Sequence, residues 1–253
     1  MKDRRAYHWL ILGGTGSGKT FTARQIVRQY VRKPDFVVIV NSSSQLAEFA
    51  RRRVVVDMSA LDRDWTPREL AATIRQHGAV HFEVSPGADP KRLQAWMDAL
   101  GNACMALGRL GTDRCHVLLI VDEAQNYLSQ KVFARGMRRV FAEGRKFGVD
   151  CLAITQQLAG QGGDMIDMTV RRMVSVLVVC PMDEEAERQR VMRTWPELRD
   201  PGILAFPDPA TGRPGEYMVR DRGSRRAVLV RVDSAGRRFA VPLSGSPSPP
   251  RAA

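Results

Sequence analysis

The chain has 253 residues, 44% of them hydrophobic, which suffices to bury one large α/β domain without requiring a second. Its formal net charge is +12, and 33 of its 39 basic residues are arginine, a balance that favours a polyanionic partner. No apolar run approaches the roughly 20 residues of a membrane helix. The charged start Met1-Lys-Asp-Arg-Arg5 is unlike a secretory leader. Cys104, Cys115, Cys151 and Cys180 are too scattered for a disulfide framework or a zinc site, so buried thiols in a reducing compartment are expected.

The first predicted element is a buried strand, Trp9-Leu-Ile-Leu12, which runs directly into Gly13-Gly-Thr-Gly-Ser-Gly-Lys-Thr20. A strand, this glycine pattern and a following helix make a P-loop. Gly13, Gly14, Thr15, Gly16, Ser17 and Gly18 let backbone N–H groups turn onto a phosphate, and a helix beginning near Gly18 adds its positive end. Lys19 can reach the β and γ phosphates of ATP, and the Thr20 hydroxyl is placed to ligate Mg²⁺. A merely tight glycine turn would not need the GK[ST] ending. A dinucleotide turn would force Lys19 into its last glycine position.

A helix is predicted over 21–32 and stops at Lys33-Pro34. Phe36-Val-Val-Ile-Val40 then reads as a strand of a parallel sheet covered on both faces. Asn41-Ser-Ser-Ser44 precedes a short helix through Ala50, and 54–57 is a further strand. The T-x-x-E capping box at Thr66 and Glu69, with Pro67 at the first helical position, predicts a helix from Pro67 to His77. A strand over 79–84 follows, and Asp89-Pro90 caps a longer helix reaching about Leu107, with Leu93, Trp96, Met97 and Leu100 on its apolar face.

Five apolar residues from Val117 to Val121 place Asp122 and Glu123 at the carboxyl end of a central strand, where α/β sheets bind ligands. In isolation this is an ordinary acidic strand end. With a P-loop upstream it reads as a Walker B pair: Asp122 holds Mg²⁺ through water and Glu123 polarises the attacking water. A helix is predicted from Ala124 to about Glu143, with Val132, Phe133, Met137, Val140 and Phe141 at helical spacing. The cluster Arg135, Arg138, Arg139, Arg145 and Lys146 reads as a solvated face, except that Arg145, just before the next strand, is a candidate arginine finger toward a neighbouring subunit's γ-phosphate.

The strand over 149–155 ends in Thr155-Gln156-Gln157, and Gln156 is a candidate γ-phosphate sensor or water-orienting amide, or else a loop hydrogen-bonder. The glycine loop over 160–163 is flexible enough to touch DNA. Strand 174–180, a charged helix from Pro181 to about Arg193, and short strands over 202–206, 215–220 and 227–232 follow. The last three form a small antiparallel appendage. Residues 244–253 are Pro, Ser, Arg, Gly and Ala and have no means of burying a core. The expected organisation is an ATPase core over 1–200, a C-terminal β appendage of the same domain over 201–243 and a disordered tail over 244–253.

The order of strand, GGTGSGKT, VLLIVDEAQ, helix and EGRKFGVDCLAITQQ resembles the FtsK–HerA branch of P-loop ATPases across roughly residues 7 to 195. Within it the chain looks most like the genome-packaging ATPases of membrane-containing icosahedral viruses. The resemblance implies a RecA-like fold with a mostly parallel central sheet flanked by helices. It also implies a homo-oligomeric ring, a hexamer, that drives double-stranded DNA at the cost of ATP. It carries Lys19 and Thr20 over as the phosphate and Mg²⁺ residues, Asp122 and Glu123 as Walker B, Gln156 as sensor and Arg145 as the arginine of an Arg-Lys-x-Gly segment. It further implies a capsid vertex or portal partner, and residence in the host cytoplasm during assembly or in the virion at a packaging vertex. The membrane helices and winged-helix domain of FtsK-type motors and the β-barrel of HerA-type helicases are not expected. Two other readings share the motifs: a zonula-occludens-toxin-like filamentous-phage assembly ATPase and a HerA-like cellular or plasmid DNA translocase. A third is a non-translocating nucleotide-dependent scaffold that binds ATP as a structural switch, against which Glu123 argues.

Overall fold

In chain order the elements are β1 (His8–Leu12), α1 (Lys19–Gln29), β2 (Phe36–Asn41), β3 (Arg52–Val56), α2 (Met58–Leu61), α3 (Pro67–His77), β4 (Ala79–Val84), α4 (Pro90–Gly108), β5 (Val117–Val121), α5 (Arg135–Glu143), β6 (Val149–Thr155), α6 (Met168–Met173), β7 (Val176–Val179), α7 (Glu185–Thr194), β8 (Tyr217–Asp221), β9 (Arg226–Val232) and β10 (Arg238–Pro242). The computed structural model describes residues 7–29, 34–43, 45–61, 63–85, 87–110, 117–159, 165–224, 226–233 and 235–243.

The strands form one sheet in the order β10-β9-β8-β7-β1-β6-β5-β2-β4-β3. From β7 to β3 every neighbouring pair is parallel, and β8, β9 and β10 add antiparallel strands at one edge. Successive side chains of a strand point to opposite faces, and both faces of the central strands are apolar. Leu10, Leu12, Val38, Val40, Leu119, Val121, Cys151 and Ala153 join the core built with α3, α4 and α5. Trp9, Ile11, Ile39, Leu118, Ile120, Leu152 and Ile154 pack with Ala23 and Ile26 of α1. This two-sided burial is why those strands read as continuous apolar runs.

Local signals set several boundaries. Thr66 and Glu69 close the capping box of α3, with Glu69 N donating to Thr66 Oγ1 at 3.2 Å and Thr66 N to Glu69 Oε2 at 2.9 Å. Asp89 caps α4 by accepting from Arg92 N at 3.0 Å. Helices α4 and α5 cross at two glycines: a Cβ on Gly101 would lie 2.4 Å from the Gly136 carbonyl carbon, and one on Gly136 would lie 2.2 Å from the Asp98 carbonyl oxygen. Only hydrogen fits there.

Two predicted elements are corrected, and the C-terminal appendage is extended by a strand. The helix expected from Ala124 to Glu143 is a 3-10 turn at Ala124–Asn126, an irregular stretch and then α5. Gln130 N donates to Met165 O at 3.0 Å and Asp167 N donates to Leu128 O at 2.8 Å, so backbone groups that a helix would need are engaged by residues distant in sequence. The strand expected over 202–206 opens as a 3-10 turn, Pro201–Ile203, because Asp200 accepts from Gly202 N at 2.8 Å. The appendage is continuous with the main sheet, since β8 pairs with β7, and it gains a strand, β10, that periodicity does not reveal. The glycine loop over 160–163, Cys115 and residues 244–253 lie outside the described residues. Cys104, Cys151 and Cys180 are buried free thiols.

Candidate active site

The parallel register brings the strand tips together. Leu12 is paired with Thr155, Val121 with Ala153 and Val40 with Val121, so Gly13, Gln156, Asp122 and Asn41 emerge along one edge of the sheet. Strand β6 lies between the P-loop strand β1 and the acid-bearing strand β5.

At the P-loop, a Cβ on Gly13 would meet Cys180 Cβ at 2.6 Å, so the turn packs directly against the end of β7. Gly14 N donates to Pro181 O at 2.8 Å and Gly13 N to Thr155 O at 3.3 Å, fixing the loop to both flanking strands. Gly16 and Gly18 take φ of 72° and 88°, a left-handed conformation that favours glycine. Helix α1 begins at Lys19, and the N–H groups of its first turn have no intrahelical partner. This glycine cradle at a helix start fits a phosphate. Lys19 Nζ donates to the Gly14 carbonyl at 2.6 Å, and burial lowers its pKa.

Thr15, Lys19, Thr20, Gln45, Asp122, Glu123 and Gln156 line one cleft of about 180 Å³. The Thr20 hydroxyl donates to Gln45 Oε1 at 2.9 Å. Asp122 is buried, accepting from Asn41 Nδ2 at 3.1 Å and from Glu123 N at 3.0 Å. Burial raises its pKa, and the Glu123 N–H, Lys19 and Asn41 draw it back. Thr20 Oγ1 and the Asp122 carboxylate are the hard oxygen donors that suit Mg²⁺, which takes one or two protein ligands and completes its shell with phosphate and water.

Glu123 stands in the left-handed region, φ 50° and ψ 47°. Its Oε2 accepts from Ser42 Oγ at 2.8 Å and from Asn126 Nδ2 at 3.3 Å. Gln156 Oε1 accepts from Thr15 Oγ1 at 3.1 Å, so the amide touches the P-loop. The Thr155 hydroxyl lies 2.7 Å from both Gln125 Oε1 and the Gln157 carbonyl. Glu187 of α7, 2% exposed, accepts from Leu158 N at 2.8 Å and fixes the segment behind Gln156. Asn41, Ser42, Gln45 and Glu187 escaped the sequence reading. Asn41 and Ser42 carried one signal, their place at the end of an apolar strand. Gln125 stood inside the DEAQ string without an assigned task.

Arg145 is not brought to this cleft. It sits in the 3-10 turn Gly144–Phe147 that precedes β6, beside His8 at the start of β1. The length of β6, seven residues at about 3.3 Å each, separates it from the cleft of its own chain.

The AAA domain family matches residues 2–158, more than half of the chain. The chain belongs to the AAA domain family. With its P-loop and acidic strand end it is a P-loop ATPase. No curated protein matches it. Among solved structures it is similar to the genome packaging NTPase of Sulfolobus turreted icosahedral virus 2 bound to ATP-gammaS, at 12% identity over 88% of this chain and 95% of that chain, with a TM-score of 0.58. It is similar too to the DNA-packaging ATPase of Sulfolobus turreted icosahedral virus, at 13% identity over 90% and 98%, TM-score 0.57. VirB4 of Thermoanaerobacter pseudethanolicus matches at 11% identity over 95% and 90%, TM-score 0.55. At such identities the likeness shows the fold alone. Among the described residues no helix is long and apolar enough to cross a membrane.

Proposed function

We propose that this AAA domain protein is an ATP-driven double-stranded DNA translocase that packages a viral genome. The observation that carries the reading is the single cleft in which Lys19, Thr20, Asp122, Glu123 and Gln156 meet. A net charge of +12 and a fold shared with two viral packaging ATPases support the choice of DNA as the thing moved.

In this reading residues 13–20 hold the triphosphate of ATP, and Lys19 neutralises charge at the β and γ positions. Thr20 and, through water, Asp122 would hold Mg²⁺, which would offset the negative charge of the triphosphate. The Glu123 carboxylate orients a water toward the γ-phosphorus, and Gln156 contacts the γ-phosphate or that water. Water oxygen bonds to the γ-phosphorus as its bond to the β–γ bridging oxygen breaks, giving ADP and phosphate. Arg145, remote from its own cleft, acts in a ring of subunits, a hexamer, on the neighbour's γ-phosphate. Residues 1–200 form the motor core, 201–243 its β extension and 244–253 a tail. A capsid vertex or portal is the docking partner, in the host cytoplasm during assembly or in the virion.

The test is steady-state ATP hydrolysis with and without long double-stranded DNA, with Glu123→Gln as the blank. Stimulation that the variant abolishes, and DNA affinity falling steeply with salt with little sequence preference, is the expected result. Hydrolysis indifferent to DNA would overturn the translocase reading and favour a phage-assembly ATPase acting on a protein or membrane partner.

A further inference from the structure

Helix α5 turns Gly136, Met137, Val140 and Phe141 inward, and its helical period leaves Arg135, Arg138 and Arg139 side by side on the outer face. Arg135 and Arg138 are exposed and Arg139 is half-buried. They are like-charged neighbours three and four residues apart, in a helix with no acidic residue in its first turn. Mutual repulsion and the helix dipole both oppose that arrangement. Elsewhere on the surface Arg24 pairs with Glu48, Arg53 with Glu83, Arg220 with Glu197 and Arg237 with Asp233. Among the described residues Arg135 and Arg139 have no carboxylate partner, and Arg138 has Asp167 at 3.2 Å.

The row is fixed to the scaffold. Gly101 and Gly136 bring α5 against α4 with no room for a Cβ. Asn102 of α4 accepts from Arg139 Nη1 at 3.0 Å, and its own amide donates to the Asp98 carbonyl at 2.9 Å. The Arg138 guanidinium lies 5.3 Å from the Phe133 ring centroid. One bond uses one of a guanidinium's five N–H groups, so Arg138 and Arg139 keep donors for an incoming group. The acids nearby are committed: Asp98 accepts from Gly136 N at 2.5 Å and from Asn102 Nδ2 at 3.2 Å, and Asp167 caps α6. Glu143, half-buried, is the one acid of α5. The two helices run parallel, since Asp98 meets Gly136 and Asn102 meets Arg139. The end of α4 therefore arrives beside the turn after α5, where Arg109 lies 4.8 Å from the Phe147 ring centroid and Lys146 is exposed. Arg135 to Lys146 spans about 16 Å at about 1.5 Å per residue, close to five base pairs at about 3.4 Å each.

We propose that this face of α4 and α5 is where the protein holds the backbone of double-stranded DNA, with Arg135, Arg138 and Arg139 on phosphates and Arg109 and Lys146 continuing the track. The proposal rests on the DNA-translocase reading and adds the surface to it. Guanidinium groups in a row on one rigid helix meet phosphate oxygens and read no base edges. A polyanion laid along them relieves the repulsion that the free protein carries. The face is also linked to the nucleotide cleft. Helix α5 stands in the chain between Glu123 and Gln156, and Asp167, the partner of Arg138, donates its N–H to Leu128 O in the segment joining Glu123 to α5.

The test is fluorescence anisotropy of the full chain with a labelled duplex of about 40 base pairs, from about 50 to about 300 mM salt. The triple variant Arg135→Gln, Arg138→Gln, Arg139→Gln should bind about 10²-fold more weakly at the low end, and its slope of log affinity against log salt should fall by about 2 to 3. Its ATP hydrolysis without DNA should equal that of the unaltered chain, which shows that it folds, while stimulation by DNA should be lost. Arg135→Gln alone, at an exposed side chain, should lower the slope by about 1, which keeps the proposal testable if the triple variant is unstable. A control that removes the same charge from the β9–β10 edge, Arg226→Gln, Arg231→Gln, Arg237→Gln, should keep the slope. Duplex binding in which the triple variant keeps its slope, or in which the control loses as much, would overturn the surface and leave the DNA reading standing. An unaltered chain that does not bind the duplex would overturn the DNA reading, and this surface with it.

Discussion

Glu187 is the residue whose loss tests how the Gln156 segment is held. Its carboxylate is buried and accepts the Leu158 amide at 2.8 Å, and its other oxygen pairs with Arg190. Leu158 is itself buried, and its carbonyl accepts from Ile166 N at 2.8 Å. Glu187→Ala leaves a buried N–H unpaired, costing about 2 kcal/mol. For a chain of this size that lowers Tm by about 4–8 °C. Glu187→Gln keeps an acceptor but loses the charge, costing about 1 kcal/mol, so its Tm falls by about half as much. Calorimetric unfolding at pH 7 reads both. Because Gln156 lies two residues upstream, kcat of Glu187→Ala should fall at least about tenfold while ADP affinity is kept. The losses from Glu187→Ala and Gln156→Ala should not add, as expected for residues that act through one another. An unchanged Tm, or strictly additive rate losses, would refute the argument.

Gly136→Ala should destabilise by about 3 kcal/mol or more, because its Cβ would sit 2.2 Å from the Asp98 carbonyl oxygen and must push α5 off α4; a urea midpoint equal to that of the unaltered chain would exclude this. His8 is buried, and burial, with Arg145 adding to it, lowers its pKa from 6.5 to about 3. On acidification the unfolded chain therefore takes up the proton first, so the stability contributed by neutral His8 is full above pH 6.5 and is lost as pH falls toward 3. His8→Phe should show a shallower fall of Tm over that window than the unaltered chain. Arg145→Ala should bind ADP normally yet hydrolyse ATP poorly when assembled, and mixing it with Lys19→Ala should restore turnover; no restoration would remove the trans role.

The most legible parts of this protein were those whose cause is local or two-sided. β1, β2, β5 and β6 could be read because both of their faces are buried. The α3 boundaries followed from Thr66, Pro67, Glu69 and Gly78, each acting within one turn of the chain. The helix expected over 124–143 failed because periodicity cannot register the bonds that Leu128 and Gln130 make with Asp167 and Met165. β10 escaped because its residues lie exposed at an edge, where no burial imposes a pattern.

The same division runs through the site. By itself the sequence determined the P-loop and the acidic pair, since a phosphate cradle is built from consecutive backbone groups and Asp122 and Glu123 need only end a buried strand. Tertiary structure alone decided that Gln156 reaches Thr15, that Ser42 holds Glu123, that Glu187 pins Leu158 and that Pro207 lies over Gly18. It also set Arg145 at the far end of β6. Each of these depends on which strands become neighbours, and that order is fixed by burying the whole sheet at once, a sum over distant residues that no local stretch contains.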